Sequence, residues 1–155
     1  MENLRTQVLV VGGGTGGTAA AIQCARQGIE TILVSEFPWL GGMLTAAGVA
    51  APDGNELKAW QTGLWGAFLR ELQRRHQQAG LDHSWVSMFT FEPRVGAEIF
   101  ADWVKAEQQL TWIAGQIPLE VKRQGDRLCA VRFPDYWIEA DIIFDGTELG
   151  DLLAL

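Results

Sequence analysis

Apolar residues occur in short runs separated by polar or glycine-containing segments, and the opening runs show the clearest order. Residues 8–11 are four consecutive apolar residues, a length that fits one buried strand of a parallel sheet. Small and apolar residues at 18–25 then predict a tightly packed helix, which Gly28 ends. Residues 29–34 form a second apolar strand, followed by Glu36. The opening pattern therefore predicts a strand, a helix and a second strand.

Two longer helices are predicted in the middle of the chain, where apolar residues recur every three or four positions. The first extends from about residue 56 to 78, and its inward face carries Trp60, Leu64, Phe68 and Leu72. The second covers residues 93–107, with Pro93 in the first turn, where the missing amide proton does no harm. Its inward face consists of Val95, Ile99, Phe100, Trp103 and Val104.

The second half of the chain has the pattern of a sheet that changes direction. Residues 110–113 predict a third parallel strand, and residues 117–122, 127–133 and 136–139 predict a three-stranded antiparallel meander. A last parallel strand is predicted at 141–145, and the expected order places strand three, two, one and then this last strand. The predicted fold class is α/β, with a Rossmann-like parallel sheet, crossover helices and an inserted antiparallel β-meander.

Composition and charge narrow the class of protein. The 155 residues suit one compact domain, and 48% hydrophobic residues can form its core. Twelve basic and nineteen acidic residues give a net charge of −7, so we expect no nucleic-acid partner and no binding to an anionic membrane. No apolar run reaches the roughly 18 residues of a membrane span, and no signal peptide is recognised.

Cysteine and histidine usage suggests a reduced compartment and no metal site. Cys24 and Cys129 fall within a predicted helix and a predicted strand, as buried thiols of a cytoplasmic protein do. His76 and His83 have neither the spacing nor the acidic neighbours of metal ligands. We therefore expect a cytoplasmic protein without a bound metal ion.

The candidate chemistry lies in the turn after the first strand. Gly12, Gly14 and Gly17 have the G-x-G-x-x-G spacing, in which the first glycine permits the turn, the second lets a pyrophosphate approach, and the third lets the helix pack closely. The helix N-terminus then faces the phosphates. Glu36 follows Gly17 by 19 positions, where a carboxylate accepts hydrogen bonds from ribose hydroxyls and repels a 2′-phosphate. The alternative interpretation is an ordinary glycine-rich structural loop.

These segments resemble the N-terminus of one family. VLVVGGGTGGTAAAIQCARQG, ILVSE and LGGMLT are similar to the FAD-dependent oxidoreductases of the glutathione-reductase structural type. The resemblance is strongest to the branch in which L-G-G-M-x-T recurs. It implies that the first glycine motif, with Thr15 and Gly16 inside it, binds the FAD pyrophosphate and that Glu36 binds the adenosine ribose. It also implies that Gly41, Gly42 and Met43 lie along the cofactor toward the flavin, although an ordinary turn would use the same two glycines.

The resemblance extends to two later places. The residue that opens the meander, about Ile117, would contact the adenine through its backbone. Asp145, Gly146 and Thr147 end the last strand, where the family commonly has D-A-T-G-D and where open α/β sheets bind ligands. This chain has Gly146 for the alanine and Glu148 for the glycine, and Asp151 partly restores the pattern. Asp145 and Asp151 fit either a cofactor contact or a solvated turn.

Three functional classes follow from the sequence. The leading hypothesis is the FAD-binding domain of a flavin-dependent oxidoreductase, which transfers hydride or electrons through FAD and acts on a small-molecule substrate. A nucleotide-binding domain of an NAD-dependent dehydrogenase is disfavoured by the G-G-M segment and the meander. A non-catalytic nucleotide-binding module is the third class. No catalytic residue is identified in this sequence.

Family members of this type continue for several hundred residues, so the resemblance implies that the chain is their opening part. The substrate domain and a late segment that touches the flavin would then be missing. We expect the 155 residues alone to bind FAD weakly and to show no turnover. Contact with the remainder of the chain, or self-association, would cover exposed apolar surface.

Overall fold

The computed structural model describes residues 1–52, 62–75 and 90–155. Within these residues one sheet contains six strands: β1 (Glu2–Val11), β2 (Thr31–Ser35), β3 (Leu110–Ala114), β4 (Glu120–Gln124), β5 (Arg127–Arg132) and β6 (Tyr136–Asp145). Three helices accompany it: α1 (Thr15–Arg26), α2 (Gly63–Arg75) and α3 (Pro93–Ala106). A short 3₁₀ turn covers Gly42–Leu44. The ends of the helix predicted at 56–78 lie outside the described residues, as do Trp60, His76 and His83.

The strand order is β3-β2-β1-β6-β5-β4, which confirms the predicted order and the α/β fold class. The strands β3, β2, β1 and β6 are parallel, since β1 pairs in parallel with both β2 and β6, and β2 pairs in parallel with β3. β5 pairs antiparallel with both β4 and β6. The carboxyl ends of β1, β2 and β6 consequently meet at one edge of the sheet.

The prediction of separate strands at 136–139 and 141–145 is wrong, because β6 continues through both. Its first residues pair antiparallel with β5, while its whole length pairs in parallel with β1, from Glu2 opposite Tyr136 to Val11 opposite Asp145. For the same reason β1 begins at Glu2 and is not limited to residues 8–11. The sequence pattern does not reveal this pairing, because the start of β1 and Asp141 in β6 are polar. These positions belong to the sheet through backbone hydrogen bonds and not through burial of their side chains.

The first meander strand also differs from its prediction at 117–122. The structure has β4 at Glu120–Gln124, and Pro118, which has no amide proton to donate to a ladder, precedes it. Leu119 still donates its backbone N–H to the Arg132 carbonyl at 2.8 Å. The residues around Ile117 are thereby left as a connection at the edge of the sheet.

Side chains of β1 alternate between two apolar clusters on opposite faces of the sheet. Val8 and Val10 pack on the helix side with Ala21, Ile22 and Ala25 of α1. That cluster extends to α2 and α3, where the Phe68 and Phe100 rings stack with centroids 4.8 Å apart. The small residues of α1 let this helix lie close to the sheet, so its first turn sits directly beyond the end of β1.

The opposite face is covered by the antiparallel strands. Leu9 and Val11 pack there with Val131, Phe133 and Ile138. The meander thus supplies the second half of the core and holds β6 beside β1. None of the helices in the described part of the chain has the length and apolar character needed to cross a membrane.

Candidate functional site

The glycine turn, residues 12–17, joins β1 to α1, and two of its glycines are required by the packing of the protein itself. Gly12 has φ +106°, a left-handed conformation that favours glycine, and a side chain there would clash with the backbone of Gly146. A side chain at Gly17 would clash with the carbonyl oxygen of Gly12. Gly146 completes the contact, since an added Cβ would lie 2.9 Å from the Gly17 Cα. Backbone atoms of β1, α1 and β6 therefore meet here without any intervening side chain.

Gly14 differs from these glycines because the fold does not require its lack of a side chain. Its φ of −63° and ψ of 179° suit any residue, and the nearest atoms to an added Cβ would lie at 3.6 Å. An added Cβ at Gly16 would meet nothing within 4 Å. Gly14 is also the N-cap of α1, and no side-chain hydrogen bond caps the helix. A side chain at Gly14 would therefore make only ordinary van der Waals contacts, with Glu148 and Gly146, next to the positive end of the helix dipole.

The Gly41–Gly42 segment is joined to the glycine turn by hydrogen bonds. The Gly41 backbone N–H donates to the Gly13 carbonyl at 2.8 Å, and the Thr15 hydroxyl donates to the Gly41 carbonyl at 2.7 Å. Gly41 has φ +110° and lies against the Phe100 ring of α3, 2.5 Å from where its Cβ would be. Gly41 therefore has a packing role, whereas Met43 is 56% exposed and borders the open space beside the glycine turn.

Glu36 lies exposed just beyond the carboxyl end of β2. The preceding residue, Ser35, is fixed from two sides: its hydroxyl donates to the Phe37 carbonyl at 2.8 Å and accepts from Trp112 Nε1 at 2.9 Å. These bonds define the path of the chain around Glu36 and leave its carboxylate available to a ligand.

Ile117 is positioned by its buried neighbour Gln116. The Gln116 backbone N–H donates to the Ser35 carbonyl at 3.1 Å, and its side-chain amide donates to Asp135 Oδ2 at 2.7 Å. The Asp135 backbone N–H returns a bond to Gln116 Oε1 at 3.1 Å. Gln116 thereby connects the end of β2 to the turn before β6. Its neighbour Ile117 is 46% exposed.

The β6 loop, residues 145–151, is held by side-chain hydrogen bonds. Asp145 Oδ1 accepts from the backbone N–H of Thr147 at 3.0 Å and from its hydroxyl at 2.6 Å. The Asp151 backbone N–H donates to the same Thr147 hydroxyl at 2.8 Å. Asp145 therefore forms a local turn, one of the two roles considered for it.

Most of the candidate residues line two adjoining cavities of about 480 and 390 Å³. The larger is lined by Gly12, Gly14, Glu36, Gly42, Ile117, Gly146, Thr147 and Asp151. The smaller is lined by Gly14, Thr15, Gly16, Gly17, Met43, Asp145, Gly146 and Thr147. Gly41 lines neither cavity.

Several lining residues were not among the sequence candidates: Gly13, Ser35, Phe37, Trp39, Gln116, Pro118 and Glu148. Most of them directly flank a candidate residue. Adjacency in the sequence, mainly to Glu36 or Ile117, is therefore the signal by which they could be identified. Glu148 directly follows the candidate Thr147, but at its position the family pattern has a glycine. The two linings contain acids but no lysine, arginine or histidine among the residues that the structure describes, and these residues also hold no cluster of metal-ligating side chains. Backbone amides and the dipole of α1 are therefore the groups that attract an anion here.

Comparison with known proteins gives one family match over nearly the whole chain. The model of the family described as FAD dependent oxidoreductase matches residues 7–155. This range contains the glycine turn, the Gly41–Gly42 segment and the β6 loop.

Matches to individual proteins are shorter. Dihydrolipoyl dehydrogenase of Haemophilus influenzae is 40% identical over 47 residues, which are 30% of this chain and 10% of that enzyme. Digeranylgeranylglycerophospholipid reductase of Sulfolobus acidocaldarius is 44% identical over 39 residues, 25% of this chain and 9% of that enzyme. The matches thus span about a tenth of the length of these relatives.

Solved structures share the fold. A geranylgeranyl bacteriochlorophyll reductase-like protein from Thermoplasma acidophilum superposes with a TM-score of 0.64 at 14% identity, over 94% of this chain and 40% of that protein. At this level of identity the likeness concerns the fold alone.

Proposed function

The chain belongs to the FAD-dependent oxidoreductase family, and we propose that its two cavities bind FAD across the carboxyl edge of β1, β2 and β6. In this proposal the pyrophosphate lies against Gly14 and the first turn of α1, with Gly12, Thr15, Gly16 and Gly17 forming the turn around it. The adenosine occupies the larger cavity, and the remainder of the cofactor extends toward the smaller one.

The observation that carries the proposal is the environment of Gly14. Gly12 and Gly17 are glycines for reasons internal to the protein, but nothing in the fold requires the small size of Gly14. A group that approaches from outside gives a reason for it. The uncapped start of α1 is the place where amide groups and the helix dipole favour an anion, and phosphate is a common one.

The other candidate residues have roles that follow from their positions. Glu36 accepts hydrogen bonds from the adenosine ribose, and the backbone at Ile117 contacts the adenine. Gly42 and Met43 border the path toward the flavin, with Gly41 packed behind them. Gly146, Thr147 and Asp151 border the larger cavity, and Asp145 shapes this loop.

The proposed activity is that of the whole protein and not of these residues alone. Bound FAD supplies the hydride or electron transfer, and this chain binds and orients it. We propose that residues 1–155 form a Rossmann-like FAD-binding domain, and that the substrate, a small molecule, binds to parts of the protein that these residues do not include. A cytoplasmic location is also part of this proposal.

The visible absorption spectrum of the purified chain tests the proposal. After incubation with FAD and rapid desalting, at least part of the flavin band is expected to stay with the protein, because the 155 residues alone bind FAD weakly. Gly14→Val fills the proposed pyrophosphate space, and Glu36→Arg reverses the charge at the ribose, so each should weaken retention about tenfold or more, the loss of roughly one charge-assisted hydrogen bond.

Glu30→Arg is the matched control for charge reversal, because Glu30 precedes β2 at the opposite end of that strand and lines neither cavity. Its retention of FAD should equal that of the unchanged chain. Thermal unfolding without cofactor shows whether each variant is folded. If Gly14→Val and Glu36→Arg are folded and retain as much FAD as the unchanged chain, the proposed site is contradicted. Retention of NAD in place of FAD would support a dehydrogenase domain.

A further inference from the structure

Glu148 has an unexpected position for an acidic side chain in this site. A methyl carbon added to Gly42 would lie 2.7 Å from Glu148 Oε1, and one added to Gly14 would lie 3.6 Å from the same oxygen. The added carbon at Gly42 would also lie 3.2 Å from the Thr15 backbone nitrogen. The Glu148 carboxylate therefore lies in the narrow space between the glycine turn and the Gly41–Gly42 segment.

This space has the properties that attract an anion. The carboxylate lies next to the first turn of α1, which has no side-chain cap and no acidic residue of its own. A negative charge at this end of a helix is stabilised by the dipole and by unpaired amide groups. In the described part of the chain no cation forms a salt bridge with Glu148, so its attraction to the helix is not shared with a basic side chain.

The same place separates the two cavities. Gly14, Gly146, Thr147 and Glu148 line both of them. A dinucleotide with its adenosine in the larger cavity and its other half in the smaller one has its phosphates at this boundary. The Glu148 carboxylate and the phosphates would therefore occupy the same space and carry the same sign of charge.

We propose that Glu148 is an internal competitor for the pyrophosphate position, and that FAD binds only when this side chain rotates out toward solvent. The inference rests on the proposed function, because it concerns affinity at the same site. Without FAD the carboxylate stabilises the start of α1, and with FAD it must give up that position. Glu148 thereby sets the affinity of the chain for the cofactor.

The surroundings of Glu148 permit this rotation. The residue is exposed, its neighbour Leu149 is 90% exposed, and Gly150 follows with φ +71°. The bonds from Thr147 to Asp145 and Asp151 use no atom of Glu148. The β6 loop can therefore keep its shape while the side chain leaves.

The opposite role makes an opposite prediction. If Glu148 instead accepted a hydrogen bond from a hydroxyl of bound FAD, its removal would weaken binding. Competition predicts that removal of its charge strengthens binding and at the same time weakens the α1 terminus in the absence of FAD. A residue that only supports the fold would not change these two quantities in opposite directions.

FAD titrations of the whole chain test the inference. Trp39 lines the larger cavity, so quenching of tryptophan fluorescence reports binding. Glu148→Gln and Glu148→Ala should lower the Kd roughly fivefold, the effect of about one close like-charge pair in water-like surroundings. Glu30→Gln, which also removes one negative charge but outside both cavities, should leave the Kd unchanged.

Two further readouts complete the experiment. The Kd ratio between the unchanged chain and Glu148→Gln should shrink from low salt to about 0.5 M salt, because salt screens the repulsion. Without FAD, the unfolding midpoint of Glu148→Gln should fall by about 1–3 °C, because a helix-terminal charge is lost.

The outcomes separate this inference from the proposed function. Tighter FAD binding by both Glu148 variants supports the inference, and it does so even if the unchanged chain binds too weakly to measure. FAD binding by the unchanged chain with equal or weaker binding by both variants overturns the inference and leaves the proposed function in place. Failure of all folded variants to bind FAD overturns the proposed function, and the inference with it.

Discussion

The glycine turn and the β6 loop border the same cavities but are built in different ways. In the glycine turn, backbone packs directly on backbone, so that side chains at Gly12 and Gly17 would clash with main-chain atoms. In the β6 loop, three exposed hydrogen bonds centred on Thr147 define the chain path. One side of the site is fixed by close packing, and the other by bonds that solvent can replace.

This difference indicates where the site tolerates change. Packed backbone has no alternative arrangement of similar energy, so the glycine turn presents one fixed surface to a ligand. A loop held by exposed hydrogen bonds loses little free energy when a side chain moves, because water takes over the bond. We therefore expect a side chain introduced at Gly12 or Gly17 to cost more stability than a substitution in the β6 loop.

The largest expected effect is that of Gly17→Ala. The new methyl group would clash with the Gly12 carbonyl, and the backbone must move to accept it, at a cost of about 3 kcal/mol in the free energy of unfolding. Urea denaturation measures the loss. Gly16→Ala is the matched control one residue earlier, where nothing lies within 4 Å, and it should stabilise the protein by about 0.5–1 kcal/mol because alanine is the better helix former. Equal stability of the two variants would refute the close packing of the turn.

Thr147→Val should have an intermediate effect. The substitution keeps the side-chain shape but removes the hydroxyl that donates to Asp145 and accepts from the Asp151 backbone N–H. The expected cost is about 1 kcal/mol, which is small for two bonds because both are exposed to water. Thr147→Ser retains the hydroxyl and should keep most of the stability in the same urea denaturation. A loss as large as that of Gly17→Ala would contradict the distinction between the two regions.

The smallest effect is expected outside both regions, at Glu71 on α2. Arg74 and Arg75 lower its pKa to about 2, chiefly through the hydrogen bond from Arg74. Because the pKa is lower in the folded state, the stabilisation is complete above the ordinary value of about 4.5 and is lost as the pH falls through about 2. Glu71→Gln should cost about 1 kcal/mol or less at pH 7, and the difference should vanish near pH 2.

Glu98→Gln on α3 is the control for that measurement, because its closest guanidinium contact is the longer one to Arg94, at 3.9 Å. Urea denaturation of the variants at several pH values provides the comparison, with the unchanged chain as reference. A pH-independent difference between Glu71→Gln and the unchanged chain would contradict the role of its ionisation.

The sequence predicted the parallel half of the fold because burial there controls side-chain type. Residues 8–11 and 32–34 are apolar on both faces, as buried parallel strands require. It did not predict that β6 is continuous, because Asp141 and the polar start of β1 resemble loop residues. A pairing between residues 2 and 136 depends on long-range backbone contacts, which leave no periodic trace in side-chain type.

The candidate site also has a part that the sequence predicts and a part that it does not. The glycine spacing and the distance to Glu36 could be recognised because backbone geometry restricts these positions to particular residues. The position of the Glu148 side chain could not, since the rotamer of an exposed loop residue is set by neighbours far away in the sequence. The sequence identified Glu148 only as a departure from the family pattern, and the structure adds where its carboxylate lies.

The continuous β6 strand has a consequence for how the site is aligned. The ten residues of β6 run alongside β1 in a single register and span about 33 Å. The antiparallel hairpin lies at one end of this strand and the β6 loop at the other. A slip of one residue at the hairpin would turn every β6 side chain to the other face and carry Asp145 away from Val11. Insertions and deletions near residues 134–136 would therefore misplace a binding loop that they never touch.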